Sequence, residues 1–172
     1  MNRFARLGLL LLAACVSLAS CAKQRNPSAA PATLAPVSAC EALVLKPADI
    51  APLLTAPITR ATSLAGDGQS CAFLTTGFSS VTVSVRPGLG RASLDAWSNG
   101  RMPLAARTLS GVGDAAVWQD TLNELIAQKN DLLCDIQLRG SGDDIAVRPE
   151  ILPGAIGALC NRIFAASQVH SG

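Results

Sequence analysis

The sequence predicts an α+β domain in which an antiparallel sheet of about five strands is packed by N-terminal and C-terminal helices, in the order α-β-β-α-β-β-β-α. Apolar and polar residues alternate over residues 81–85 and 132–138, which is the period of a strand. Residues 149–167 instead repeat apolar side chains at the spacing of one helix face. The chain of 172 residues is 49% hydrophobic and 15% charged, and this composition excludes general disorder.

The first half opens with helix signals. Ser38 and Glu41 have the spacing of a capping box, which predicts a short helix with Cys40 in its first turn. Four further elements are expected in this half: a helix over 47–54 that Pro47 opens and Pro52 makes irregular, strands over 71–74 and 81–85 joined by a turn at 75–80, and a helix over 93–98 that Gly100 ends.

The second half predicts a three-stranded meander and a closing helix. The strands are expected at 115–119, 122–129 and 132–138, and the helix at 149–167. Asn130 and Asp131 form the tight turn between the last two strands, because both residue types tolerate positive φ. Within the last strand Cys134 shares the apolar, inward face, whereas Asp135 lies on the other face. Cys160 borders the apolar stripe of the closing helix.

The N-terminus resembles a bacterial lipoprotein signal. Arg3 and Arg6 precede an apolar stretch of 12 residues at 7–18, too short for the roughly 20 residues that a membrane-spanning helix needs. The run Leu-Ala-Ser before Cys21 matches the aliphatic and small residues that precede the lipidated cysteine in such signals. A similar run precedes Cys15, but cleavage there would leave a very short apolar region, so Cys21 is favoured.

The resemblance implies that Cys21 becomes the first mature residue and carries diacylglycerol on its sulfur. We divide the chain into a signal peptide (1–20), a lipid-anchored Ala/Pro-rich tether (21–37), one disulfide-stapled domain (38–168) and a tail (169–172). Ala22 and Lys23 lack the aspartate that marks retention in the inner membrane. The resemblance therefore implies an outer-membrane lipoprotein facing the periplasm, with the outer face of the cytoplasmic membrane as the alternative.

Four cysteines remain in the predicted domain. An exported chain meets an oxidising compartment, where an even number of cysteines indicates disulfides. Of the three possible connectivities we favour Cys40–Cys71 with Cys134–Cys160, since each closes a loop of about 30 residues. A metal site is disfavoured because the chain has no CxxC pair and its single histidine, His170, is almost terminal.

The order of elements resembles a family of secreted bacterial lipoproteins of unknown function with a PsbP-like α/β fold, best known from mycobacteria. The shared features are a cysteine in the first helix, another in the first predicted strand (QSCAFLT), GVGDAA before a strand, and a closing helix. The chain departs from this pattern in its second cysteine pair. The family implies no catalytic residues.

Catalysis has few candidate residues, and we expect no enzyme and no cofactor. The run 111–116 fits the dinucleotide pattern G-x-G-x-x-A, but a strand pattern follows it where that motif needs a helix, so we interpret it as a glycine turn in which Asp114 bonds its own loop. His170 lies two residues from the C-terminus. The remaining carboxylate pairs are Asp131 with Asp135 and Asp143 with Asp144.

Charge is unevenly distributed. Removing Arg3 and Arg6 from the 14 basic residues leaves 12, equal to the 12 acidic residues, so the mature chain is formally neutral and is not expected to bind nucleic acid. Residues 86–107 nevertheless carry four arginines and one acid, and residues 108–144 carry seven acids and two bases. If these segments lie apart in space, they form two opposed patches. The predicted partner contact comprises Arg86, Arg91, Trp97 and Arg101.

The sequence thus predicts a lipid-anchored, non-catalytic envelope domain that binds another protein or an anionic ligand. Two alternatives remain: a carrier of lipid or glycan, and an accessory or weak envelope enzyme. An inhibitor of lysozymes would fit the same compartment, but the closing helix argues against the all-β fold such inhibitors normally have.

Overall fold

One antiparallel sheet organises the structure, with strand order β1-β2-β3-β7-β6-β5-β4. The computed structural model describes residues 38–65, 69–100 and 106–168, and only the backbone at 97–100 and 168. The strands within these residues are β1 Ile58–Ser63, β2 Gln69–Thr75, β3 Ser80–Pro87, β4 Ala106–Thr108, β5 Ala115–Gln119, β6 Glu124–Lys129 and β7 Leu132–Arg139. The predicted α+β class and antiparallel sheet are confirmed.

Four α-helices accompany the sheet in the described residues. They are α1 Ala39–Ala42, α2 Pro47–Ile50, α3 Arg91–Gly100 and α4 Leu152–Gln168. The predicted capping box is present at α1: the Glu41 backbone N–H donates to the Ser38 hydroxyl over 3.2 Å, and the Ser38 N–H donates to the Glu41 carboxylate over 3.0 Å. The second predicted helix continues from α2 as a 3-10 turn, Ala51–Leu53, which contains Pro52.

The prediction of five strands is wrong, because the sheet has two more strands in the described residues. Both missed strands, β1 and β4, form the edges of the sheet. β1 is mostly exposed and β4 has three residues, so neither carries the alternation by which buried strands are recognised. The predicted strand 122–129 begins only at Glu124, since Asp120–Leu122 is a 3-10 turn and Asn123 is left-handed, with φ 45°.

The two faces of the sheet are covered differently. On one face, called the α4 face, α1, α2 and α4 enclose the main core, whose largest fully buried side chains include Trp118, Phe73, Phe164 and Ile136. On the other, called the α3 face, Leu94 of α3 packs against Ile126 and Leu133. Residues Pro36–Gly172 form one compact unit by their contacts, and this unit contains the core and both disulfides. We therefore expect it to fold without the preceding residues.

The disulfides attach helices to the sheet. Cys40 is joined to Cys71, which ties α1 to β2, and Cys134 is joined to Cys160, which ties β7 to α4. This is the pairing that the sequence favoured. Two disulfides indicate folding in an oxidising, extracytoplasmic compartment.

The GVGDAA run is a structural turn that leads into β5. Gly111 and Gly113 have φ of 78° and 56°, a region that favours glycine. Asn161 of α4 accepts from the Gly113 N–H over 3.0 Å and donates to the Gly111 carbonyl over 2.9 Å. The interpretation as a glycine turn holds, but one detail is wrong: the Asp114 carboxylate accepts the Asn130 N–H over 2.8 Å and so binds the β6–β7 turn.

Two glycines of α4 provide a matched test of this packing. A Cβ at position 157 would lie 2.6 Å from Cγ2 of Val112, whereas one at 154 would meet nothing within 4 Å. We expect Gly157→Ala to destabilise the domain by about 1–3 kcal/mol through overpacking. Gly154→Ala should leave stability unchanged or raise it by up to about 1 kcal/mol. Urea unfolding measures both, and equal midpoints for the two variants would contradict the packing of α4 on the glycine turn.

Candidate ligand-binding groove

A groove of about 1070 Å³ opens between α1 and the C-terminal end of α4. It lies on the α4 face, at the end of the sheet where β3 and β6 finish and β2 and β7 begin. Its floor is apolar and consists of Leu43, Val85, Leu132, Ile163 and Phe164. A cleft of this size with an apolar lining is typical of sites for small molecules, which occupy about 300–1000 Å³.

The walls of the groove are held from both sides. The capping box fixes the start of α1, and the Cys40–Cys71 disulfide joins this helix to β2. The opposite wall is α4, held on β7 by Cys134–Cys160 and on α2 by an ion pair of 2.8 Å between Arg162 and Asp49. The groove is therefore preformed, because a disulfide fixes each wall to the sheet.

Charges of both signs surround the opening. They are Glu41, Lys46, Lys129 and Asp131. The Lys46 ammonium donates to the Glu41 and Leu43 carbonyls over 3.2 and 2.9 Å, which places its charge at the C-terminal end of α1. Hydrogen bonds from Ser38 hold the pKa of Glu41 below its ordinary value, so this carboxylate is ionised at neutral pH.

The β6–β7 turn sets the positions of Lys129 and Asp131 on this opening. Asn130 has φ 51°, and its backbone is held by Asp114 and by the side chain of Gln128, which donates to its carbonyl. The carbonyl of Asp131 accepts the Leu89 N–H over 3.0 Å. The tight turn predicted at Asn130-Asp131 therefore contributes two charges to a groove that the sequence did not reveal.

The predicted partner contact is only partly described. Arg86 lies 3.6 Å from Asp135, and Arg91 forms an ion pair of 2.9 Å with Asp95 within α3. Trp97 belongs to α3 by its backbone, while Arg101 lies outside the described residues, as does the predicted lipidation site Cys21. The contact surface stays a prediction.

The opposed charge patches do not form where the two segments are described. β3 pairs with β7 and β4 pairs with β5, so the basic and acidic segments are neighbours in the sheet. Arg86 meets Asp135 there, and Arg107 meets Asp120 at 3.2 Å. The patches were predicted on the condition that the segments lie apart, and strand pairing removes that condition.

The candidate catalytic carboxylates that the structure describes are not assembled into one site. Asp135 lies on the α3 face, away from the groove to which Asp131 contributes. Asp143 and Asp144 lie in a 3-10 turn, Gly142–Asp144, where the Asp144 carboxylate accepts the backbone N–H and the hydroxyl of Ser141. His170 falls outside the described residues.

Two kinds of feature are absent from the described part of the chain. No cluster of three or more His, Cys, Asp or Glu side chains there could hold a metal ion. None of its helices has the length and apolar character needed to cross a bilayer.

Comparison of the chain with protein-family models, with curated proteins and with solved structures found no match. The resemblance to PsbP-like lipoproteins therefore stays a prediction. Any functional assignment depends on the geometry of the groove.

Proposed function

We propose that this protein is a lipid-anchored, non-catalytic envelope protein whose folded domain binds an amphiphilic small molecule in the groove between α1 and α4. The groove is the observation that carries the proposal. It favours the ligand-carrying alternative over a protein contact at the arginines, because Arg86 and Arg91 already have carboxylate partners within the chain.

The distribution of polarity in the groove indicates the class of ligand. The floor consists of apolar side chains, whereas side chains of both charge signs lie at the opening. Apolar surface removed from water contributes about 25 cal/mol per Å², so an alkyl chain gains most on the floor. A polar or charged head group would remain at the opening, next to Lys46 or Lys129.

The place where the domain begins supports a lipid as the ligand. Ser38 caps α1, and the Cys40 N–H donates to the Ser63 hydroxyl at the end of β1. The described chain therefore starts at the same end of the strands as the groove. The tether (21–37) would join the domain at this end. A domain anchored through Cys21 would therefore have the bilayer within reach of its binding site.

A pair of adjacent alanines on α4 gives a direct test of the groove. Ala166 lines it, whereas Ala165 is exposed on the same helix and does not. We expect a fluorescent C16 fatty acid to bind the wild-type domain and its Ala165→Trp variant alike. Ala166→Trp, which fills the groove, should weaken binding at least tenfold in a fluorescence titration.

Circular dichroism melting shows whether both variants are folded. Equal binding by the two folded tryptophan variants, or no binding of the probe by the wild-type domain, would contradict the proposed ligand site.

The anchor has its own test. Cys21→Ser should abolish incorporation of labelled fatty acid in the native host, because the acyl chains are attached through this cysteine. Cys15→Ser is the matched control and should be labelled as the wild type is. Labelling that persists in Cys21→Ser and disappears in Cys15→Ser would move the anchor to Cys15.

A further inference from the structure

Phe78 is a fully exposed aromatic side chain at the tip of the β2–β3 hairpin. The tip lies at the end of the strands opposite the groove, where β2 finishes and β3 begins. Phe78 has 103% of its reference surface in solvent. The other exposed large apolar residues of the described chain are only 40–53% exposed, namely Val44, Leu64 and Ile151. Phe78 is therefore the most exposed of the large apolar side chains that the structure describes.

The hairpin tip holds Phe78 outward. The Thr75 hydroxyl accepts the Gly77 N–H over 3.2 Å and donates to the Ser79 carbonyl over 3.1 Å, and its oxygen lies 2.7 Å from the Ser79 hydroxyl. Thr75 and Ser79 are both buried by these contacts. Since the residues on either side of the tip are fixed inward, Phe78 is presented to solvent by a structured turn.

Two arginines lie beside this tip on the α3 face. Strand register aligns Arg60 with Leu74, Leu74 with Ser80, and Ser80 with Arg139, so one row across four strands has a guanidinium at each end. Strands are about 4.8 Å apart, which separates the two arginine positions by about 14 Å. Phe78 and Arg60 also share a hollow of about 530 Å³ with Leu74 and Ser80.

The Asp144 carboxylate of the following loop lies away from this row. Gly140, next in the chain after Arg139, faces the opposite side of the sheet, where its Cβ would approach Ser79 and Asp144. Asp144 is engaged with Ser141. The row with Phe78 is therefore a positively charged, aromatic surface.

We propose that this surface, formed by Phe78, Arg60 and Arg139, inserts peripherally into a bilayer containing anionic phospholipid. Phe78 enters the boundary between head groups and acyl chains, and the arginines bind lipid phosphates, for which the guanidinium group is well suited. A tether of residues 21–37, if extended at about 3 Å per residue, would span about 50 Å, longer than the roughly 26 Å of an eight-residue strand. The tip can therefore reach the membrane in which the chain would be anchored.

The test uses residues 22–172, which lack the anchor and contain the compact unit Pro36–Gly172. This protein should co-sediment with phosphatidylcholine vesicles that contain phosphatidylglycerol, and much less with pure phosphatidylcholine. Phe78→Ala should weaken binding about tenfold, because the variant lacks the apolar side chain that the wild type would bury in the bilayer. Arg60→Gln and Arg139→Gln should each weaken it about fivefold at low salt. Leu64→Ala, at the other end of β1, is the control and should bind as the wild type does.

A second measurement locates the contact without relying on lost binding. Phe78→Trp keeps an aromatic side chain at the tip, and brominated lipids should quench the added fluorescence. Leu64→Trp should show no quenching of its added signal. Quenching at position 64 alone, binding unaffected by Phe78→Ala, or equal binding to neutral vesicles would each overturn the proposal.

One further variant distinguishes membrane binding by the tip from membrane binding by the groove. Ala166→Trp blocks the groove and should leave vesicle binding unchanged if the tip is the membrane contact. Loss of vesicle binding in Ala166→Trp would assign the contact to the groove and overturn the role of Phe78, while loss of fatty-acid binding alone concerns only the groove.

Discussion

The pairing of β3 with β7 is the constraint on which the rest of the structure depends. Eight consecutive residue pairs, from Ser80↔Arg139 to Pro87↔Leu132, join the β1-β2-β3 part of the sheet to the β7-β6-β5-β4 part. Because β2 carries the disulfide to α1 and β7 carries the disulfide to α4, this pairing also sets the distance between the two helices. The width of the groove is thus determined in the centre of the sheet, by strands that are far apart along the chain.

The two proposed contacts lie at opposite ends of the same strands. The groove is formed where β3 ends at Pro87, and the exposed tip stands just before β3 begins at Ser80. Each end has its own fixed geometry, with a disulfide-held wall at the groove and a hydrogen-bonded turn between Thr75 and Ser79 at the tip. If the tip is inserted in a bilayer, the groove lies at the far end of β3, away from that bilayer.

Local signals predicted most of the fold, and the missing parts have a common physical cause. The capping box at Ser38, the alternation in β3 and the helical stripe of α4 each depend on neighbours in sequence. β1 and β4 are edge strands that bury little, so they leave no such pattern. The groove combines residues from α1, β3, β7 and α4, and its members became visible only after long-range pairing was known. The same pairing places Arg86, which had no nearby acid in the sequence, 3.6 Å from Asp135 on the neighbouring strand.

The central claim is that the groove between α1 and α4 is the binding site. Its most direct test is hydrogen–deuterium exchange with and without a saturating C16 fatty acid. The account predicts slower exchange in three segments that form this groove, namely residues 41–46, 129–132 and 163–167, with α3 unchanged. Protection confined to Arg91–Gly100 of α3, or no protection in any segment, would contradict it.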